Sequence, residues 1–147
     1  MARNNAGDRT GAPLRVLVVD DNKDAADTLA MAVRHAGHKV QVAYNGIQAI
    51  LFALKEQPHV ILLDIGLPQI DGYTIVRELR NRSETRHAKI IAVTGHGLPA
   101  DIERTKVAGF DAHLLKPVDH VQLCAMIDSF AHCNSWPPRE NVFEAAY

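Results

Sequence analysis

Several features that mark specialised protein classes are scarce in this sequence. The 147 residues include only two cysteines, Cys124 and Cys133, which cannot form a disulfide framework. Reduced thiols are typical of the cytosol, so we expect a cytoplasmic protein. No apolar stretch approaches the roughly 18 residues that a membrane-spanning helix needs. The opening residues, MARNNAGDRTGAPL, also lack the apolar run of a secretory signal. We therefore expect no association with a membrane.

The sequence also lacks an excess of basic charge. Sixteen Lys and Arg residues stand against 17 Asp and Glu residues, for a formal net charge of −1. A dedicated nucleic-acid-binding protein normally has a basic excess, so direct binding to nucleic acid is not expected. Eight histidines are present, but none shows the spacing of a metal site. Six of them are interpreted as surface or helix-end residues: His35, His38, His59, His87, His120 and His132.

What the sequence does contain is an alternation of short β-branched runs and amphipathic segments. Residues 1–13 are predicted to be a flexible arm, residues 14–132 one domain, and residues 133–147 a tail. Five strand–helix units in series predict an α/β fold with a parallel sheet and helices on both faces. The predicted strands are 15–20, 39–44, 59–65, 89–95 and 111–115.

The helices that follow the strands differ in the strength of their sequence signals. Asp24 is a suitable N-cap for the first helix, and Asp71 for the third. The fourth helix has the weakest signal, because its apolar face rests mainly on Ile102 and Val107. Cys124 lies in the fifth helix and is expected to be part of the core.

Polar side chains follow four of the predicted strands. Asp20 and Asp21 end the first strand, Asp64 the third, Thr94 the fourth, and Lys116 follows the fifth. Functional groups in open α/β sheets gather at this carboxyl edge. Three carboxylates placed together need a cation, and oxygen ligands suit Mg²⁺. An Asp carboxylate can act as a nucleophile toward a phosphoryl group, and a Lys can balance the charge that develops.

In these segments the sequence resembles the response-regulator receiver family. The matching stretches are VLVVDDNKDAADTL, VILLDIGLPQIDGYTIVRELR, IIAVTGHG and GFDAHLLKPVD, which together span about residues 14–132. The last stretch is especially similar to receivers attached to hybrid sensor kinases. The resemblance implies a flavodoxin-like, doubly wound sheet of five strands in the order 2-1-3-4-5.

The resemblance also implies a role for each matched residue at the strand ends. Asp64 would accept a phosphoryl group from a histidine kinase or a histidine phosphotransfer protein. Mg²⁺ would be bound by Asp21, by Asp20 through water, by Asp64 and by the carbonyl of Gly66. Lys116 would pair with the phosphoryl group and would be followed by a cis bond to Pro117. The domain would thereby catalyse its own phosphorylation and dephosphorylation.

Switching in the family couples a Thr at the position of Thr94 to an aromatic residue on the fifth strand, where this sequence has His113. A histidine there could make the switch pH-sensitive, or could simply pack as a half-buried ring. Gly66 leaves Asp64 open to water, so we expect a short-lived phosphoryl group. The resemblance further implies an unknown downstream protein partner. It also allows a homodimer through the fourth helix, fifth strand and fifth helix.

Three other functions remain open from the residues alone. An Asp-nucleophile phosphohydrolase shares the fold and Mg²⁺, but it needs a substrate pocket and typically a general acid where Gly66 stands. A receiver-like binding module that has lost phosphorylation would not require the full set of polar residues. A flavodoxin-like FMN binder would place a phosphate beside the acidic loop after the first strand, which would repel it.

Overall fold

Each run of valine, isoleucine and leucine identified in the sequence forms a strand of one sheet. The computed structural model describes residues 13–95 and 99–131. The strands are β1 (Arg15–Val19), β2 (Lys39–Ala43), β3 (Val60–Asp64), β4 (Lys89–Thr94) and β5 (Ala112–Leu115). All neighbouring strands are parallel and follow the order β2-β1-β3-β4-β5, which confirms the predicted fold. The carboxyl ends of β1 and β3 are therefore adjacent at the centre of the sheet.

Five helices connect and follow the strands. They are α1 (Lys23–His35), α2 (Gly46–Glu56), α3 (Gly72–Arg80), α4 (Pro99–Ala108) and α5 (His120–Ala131). Asp71 caps α3 as predicted, because its side chain accepts a hydrogen bond from the backbone N–H of Thr74. Among the described residues, no helix has both the length and the hydropathy that crossing a bilayer requires.

Alternation of side chains along the strands separates the core into two layers. Val16 and Val18 of β1 face one side of the sheet, where they pack with Leu29 of α1 and Ile127 of α5. The intervening side chain of Leu17 faces the other side, in the layer formed with α2 and α3. This alternation, with both faces covered, explains why β3 is buried along its whole length.

Two histidines expected at the surface are buried, so that part of the interpretation is wrong. His38 is 5% exposed and His59 is 9% exposed. The Nδ1 atom of His38 accepts a hydrogen bond from the backbone N–H of Leu14, at 3.1 Å. The Nδ1 atom of His59 accepts one from the N–H of Arg15, at 3.0 Å. Both imidazoles lie beside the start of β1, where buried backbone donors need acceptors.

Two helix features also differ from the sequence-based prediction. The N-cap of α1 is Asn22 rather than Asp24, because the Asn22 side chain accepts from the N–H of Ala25. Val107 does not form the apolar face of α4, since 79% of it is exposed. Thr105 is buried instead and donates its hydroxyl hydrogen bond to the carbonyl of Ile102 at 2.6 Å, within the helix.

Arg80 forms several hydrogen bonds at the edge of the sheet opposite the strand-end carboxylates. The Arg80 guanidinium donates to the carbonyl oxygens of Gly109, Arg86 and Ala88. It also pairs with the Asp111 carboxylate at 2.7 Å. Because Gly109 directly follows α4, this contact holds the carboxyl end of α4 against the end of α3. The planar, five-donor fork of arginine makes such multiple bonding possible.

We expect Arg80→Ala to lower the free energy of unfolding by roughly 2–4 kcal/mol, because partly buried carbonyls lose their donors. Arg80→Lys should recover only part of the loss, since an ammonium cannot form the same fork of bonds. Urea unfolding monitored by circular dichroism measures both effects. Arg77→Ala on the exposed face of the same helix is the matched control, and it should change stability by less than about 0.5 kcal/mol. An equal effect of the two alanine variants would contradict this role for Arg80.

The predicted domain limits extend beyond the described residues. Residues 1–12, residues 96–98 and residues 132–147 lie outside them. The N-terminal arm, the C-terminal tail and the surface position of His132 therefore remain sequence-based predictions.

Candidate functional site

Three carboxylates converge where β1 and β3 end. Asp64 is the last residue of β3, and Asp20 directly follows β1. Both are buried, with 7% and 1% of their surface exposed, whereas the neighbouring Asp21 is exposed. One oxygen from each of the three side chains lies within 4.8 Å of the others. The parallel pairing of β1 with β3 produces this arrangement, because it brings their carboxyl ends side by side.

Lys116 supplies the positive charge that faces these carboxylates. Its Nζ lies 3.3 Å from Asp64 Oδ2 and 3.4 Å from Asp20 Oδ2. Its backbone N–H donates to the carbonyl of Thr94 at 2.8 Å, so the residue after β5 is fixed to the end of β4. The Lys116–Pro117 peptide bond is cis. The ammonium is thus positioned by the backbone of two strands.

Burial and charge shift the ionisation of this group of residues. Burial raises the pKa of Asp20, and repulsion from Asp64 raises it further, against the opposing effects of the Asn22 N–H and the Lys116 ammonium. Burial alone would lower the pKa of Lys116, but attraction to Asp64 and Asp20 outweighs it and leaves the pKa raised. One ammonium faces two of the three clustered carboxylates, so the negative charge of the site exceeds its positive charge.

The donor set fits a hard divalent cation. Asp20 Oδ2 is buried and has no hydrogen-bond partner among the described residues, although Lys116 is nearby. A buried carboxylate oxygen without a hydrogen bond is costly unless a cation approaches it. Oxygen-only ligands are the ones that Mg²⁺ prefers, and the exposed side of Asp21 leaves access for water. Asp20, Asp21 and Asp64 therefore fit Mg²⁺.

Gly66 contacts Asp64 in a way that the sequence did not reveal. Its backbone N–H donates to Asp64 Oδ1 at 3.0 Å, while Asp64 Oδ2 faces Lys116. The two oxygens of the carboxylate are thus held in different environments. A Cβ built on Gly66 would lie 3.7 Å from Asp64 Oδ1, and apart from its two chain neighbours no other described residue comes within 4 Å of it, so a side chain could be placed beside the carboxylate.

Two further residues position the site but were not identified from the sequence. The backbone N–H of Asn22 donates to Asp20 Oδ1 at 2.9 Å, while its side chain caps α1. The Asp-x-Asn spacing is the local signal that could have identified it. Gly72 allows α3 to approach the loop after β3, since a Cβ there would lie 2.8 Å from Ile65 Cα. Both residues fix the loops that hold the carboxylates.

Thr94 lies at the end of β4, the strand beside β3, and His113 lies on the edge strand β5. Thr94 ends β4, pairs with Leu115 and is half-buried. His113 pairs with Ala92 on β5 and is also half-buried. Its Nε2 is buried and has no hydrogen-bond partner within residues 13–95 and 99–131. The structure thus joins Thr94 to Lys116 through the backbone, and places His113 within the sheet rather than in the acidic cluster.

A cleft of about 390 Å³ opens beside Asp20 and Lys116, between the start of α1 and the connection from β5 to α5. Its lining includes Asn22, Pro117 and His120. Of the three clustered carboxylates, Asp20 borders this cleft, together with the Lys116 side of the site.

Comparisons with known proteins agree with this geometry. The family model of the response regulator receiver domain matches residues 16–128. The polar-differentiation response regulator DivK of Brucella anthropi is 30% identical over 118 residues, covering 80% of this chain and 96% of DivK. The receiver domain of sensor histidine kinase PA1611 from Pseudomonas aeruginosa PAO1, solved with a magnesium ion coordinated in its active site cleft, is 31% identical. Its TM-score is 0.76, over 83% of this chain and 100% of that one. Chemotaxis response regulator CheY4 of Vibrio cholerae is 25% identical, with a TM-score of 0.76 over 80% of this chain and 98% of CheY4.

Proposed function

The chain belongs to the response regulator receiver domain family, and we propose that it accepts a phosphoryl group on Asp64 from a histidine kinase or a histidine phosphotransfer protein. The observation that carries the proposal is the position of the Asp64 carboxylate. It is buried, it is held by the Gly66 N–H, and it lies 3.3 Å from the Lys116 ammonium. A nucleophile beside a fixed cation is the arrangement that phosphoryl transfer requires.

The proposed reaction forms one bond to phosphorus and breaks another. An oxygen of the Asp64 carboxylate attacks the phosphorus of a phosphohistidine, the P–N bond breaks, and the imidazole leaves with the electron pair. The product is an acyl phosphate on Asp64. Lys116 then faces the new phosphoryl oxygens, and its charge opposes the negative charge that accumulates on them. In the later hydrolysis step, water attacks the phosphorus, the bond between phosphorus and the Asp64 oxygen breaks, and inorganic phosphate and the free carboxylate are released.

Asp20, Asp21 and Asp64, with the carbonyl of Gly66, are the residues that would hold Mg²⁺ in this proposal. When bound, Mg²⁺ neutralises the repulsion between the carboxylates and the phosphoryl oxygens. The buried Asp20 Oδ2, which has no hydrogen-bond partner in the described ranges 13–95 and 99–131, supports this assignment. Asn22 contributes by fixing the other oxygen of Asp20.

Signalling is proposed to proceed through Thr94 and His113 to a downstream protein. The Thr94 hydroxyl would donate a hydrogen bond to a phosphoryl oxygen, and His113 would change position in response. The buried His113 Nε2 lacks a hydrogen bond among the described residues, so a movement of the ring would allow this atom to form one. A pH effect on switching through His113 remains a prediction.

A homodimer through α4, β5 and α5 is part of the same proposal. Val107 on α4 and Leu115 on β5 are apolar and exposed, at 79% and 49%. Exposed apolar residues on one face can form an interface between copies of a chain. Sedimentation of the phosphorylated and unphosphorylated protein would show whether the face associates.

Intact-protein mass spectrometry tests the proposed phosphorylation. After incubation with acetyl phosphate and Mg²⁺, we expect the wild-type protein to gain the mass of one phosphoryl group. Asp64→Asn should gain none, because an amide is a poor nucleophile. Glu84→Gln, an exposed carboxylate outside the site, is the control and should react like the wild-type protein.

Labelling of Asp64→Asn at the wild-type rate would contradict the assignment of Asp64. Two further outcomes would favour the alternative functions. Continuous release of phosphate at many turnovers per minute, with no labelled protein at any time, would point to a small-molecule phosphohydrolase or to very fast self-dephosphorylation. Failure to react with any donor would favour a binding module that does not use phosphorylation.

We predict that the phosphoryl group is short-lived and that Gly66→Met lengthens its lifetime several-fold. A side chain at this position has space beside Asp64 Oδ1 and would cover the phosphorus against attacking water. The decay of the labelled mass after removal of the donor measures both lifetimes. Gly95→Ala is the control, because a Cβ there meets no atom within 4 Å in the part of the chain that the structure describes. Equal decay rates of the phosphoryl group in Gly66→Met and in the wild-type protein would show that the missing side chain at Gly66 does not shorten its lifetime.

A further inference from the structure

An open apolar groove separates α1 from α5 on the outside of the molecule. Its volume is about 820 Å³. Two of its apolar side chains are strongly exposed, Met31 at 67% and Val121 at 80%. Small residues form much of its floor and walls, including Ala32, Cys124 and Ala125. We call this feature the α1–α5 groove. Contiguous apolar surface of this kind usually marks a place where another segment packs.

The groove begins close to the end of the described chain. Helix α5 forms one wall and ends at Ala131, and the sequence continues through residues 132–147. Along α5, the groove runs from Asp128 back to His120, a rise of about 12 Å. About four extended residues cover that distance, so the following segment is long enough to turn and run along the groove.

The sequence of this segment suits an apolar groove. It contains Trp136, the single tryptophan of the chain, followed by Pro137 and Pro138 and then by Phe143. Consecutive prolines favour an extended conformation without internal hydrogen bonds, which can lie in a narrow groove. Tryptophan and phenylalanine bury large apolar areas. These residues lie outside the described part of the chain. We therefore infer their binding from their sequence and from their covalent connection to the end of α5.

We propose that the C-terminal segment, residues 133–147, docks in the α1–α5 groove of its own chain with Trp136 against Met31 and Ala125. A tethered segment has an effective concentration on the order of millimolar, which favours it over a second copy at ordinary protein concentrations. The groove shares Thr28 and His120 with the cleft beside Asp20. The docking does not depend on the proposed function.

Fluorescence of Trp136 in the full-length chain tests the docking directly, because no other tryptophan contributes. In the wild-type protein without any phosphodonor, we expect blue-shifted emission and protection from iodide quenching relative to the urea-unfolded chain. Met31→Glu and Ala125→Glu place a charge in the groove from either wall. Each should shift the emission to the red and remove most of the protection.

Controls separate docking from unfolding and from association. Ile47→Glu changes an exposed residue of α2 outside the groove and should leave the emission unchanged. Circular dichroism verifies that each variant is folded, and Met31 and Ala125 are both exposed, so their replacement is compatible with folding. The proposal is overturned if Trp136 is quenched as freely as in the unfolded chain, or if neither groove substitution changes its emission. Protection that disappears on dilution would also overturn it, since the occupant would then be a second copy.

Discussion

Replacing Lys116 with methionine is expected to slow phosphoryl transfer to Asp64 by about two to three orders of magnitude, the typical effect of removing one preorganised charge-stabilising group. The Nζ of Lys116 lies within 3.4 Å of both buried carboxylates, and its backbone is fixed to Thr94. Methionine keeps much of the length of the side chain but removes the charge. The time course of mass gain with acetyl phosphate and Mg²⁺ measures the rate.

The control for Lys116→Met is Lys55→Met on the exposed surface of α2. It removes the same charge away from the site and should leave the rate within about twofold, because exposed charges are strongly screened. A rate for Lys116→Met equal to that of the control would show that the ammonium does not act on the phosphoryl group. Thermal unfolding of both variants shows whether any loss of rate reflects loss of the fold.

Asp20→Asn is expected to change stability in opposite directions with and without Mg²⁺. Burial raises the pKa of Asp20, and repulsion from Asp64 adds to the effect. The charged form therefore opposes folding at neutral pH, and this penalty is relieved as the pH falls through the folded pKa. In EDTA at neutral pH, the asparagine variant should consequently unfold at a higher temperature than the wild-type protein.

With Mg²⁺ present, the order of stability should reverse. A ligand at one hundred times its Kd stabilises the folded protein by about 2.7 kcal/mol, which corresponds to roughly 5–15 °C for a domain of this size. The variant should gain far less, because it has lost one of the three clustered carboxylates. Thermal unfolding by circular dichroism measures all four conditions, with Glu84→Gln as the control. A Mg²⁺ shift in Asp20→Asn equal to that of the wild-type protein would contradict the assigned ligand.

The fold could be predicted from the sequence because its main signals are local. Five aliphatic runs alternate with amphipathic segments, and parallel strands need helical connections. Asp71 was predicted correctly as a cap. The errors have physical causes that depend on tertiary contacts. Val107 is apolar yet exposed, and His38 is polar yet buried. The partners of that histidine are distant in sequence: the N–H of Leu14 donates to its Nδ1, and an Asp128 carboxylate oxygen lies 3.5 Å from its Nε2.

The carboxylates of the site could be placed from the sequence because parallel strands bring their carboxyl ends to one edge. Asp20, Asp21 and Asp64 cluster there, with Lys116 facing two of them. Hydrogen bonds that involve the backbone could not be predicted from the residue types alone. The Gly66 N–H holds Asp64, and the five hydrogen bonds of Arg80 fix the opposite end of the sheet. A glycine and a helix-end arginine give no sequence signal for such roles.

The central claim is that the carboxylate of Asp64 is the phosphoryl acceptor, and chemical trapping of the product tests it most directly. Borohydride reduces an acyl phosphate on aspartate to homoserine, which peptide mass spectrometry can locate. After reaction with acetyl phosphate and Mg²⁺, we expect homoserine at position 64 and at no other position. Homoserine at position 20 or 21 with Asp64 unchanged, or a phosphoryl group recovered on a histidine, would contradict it.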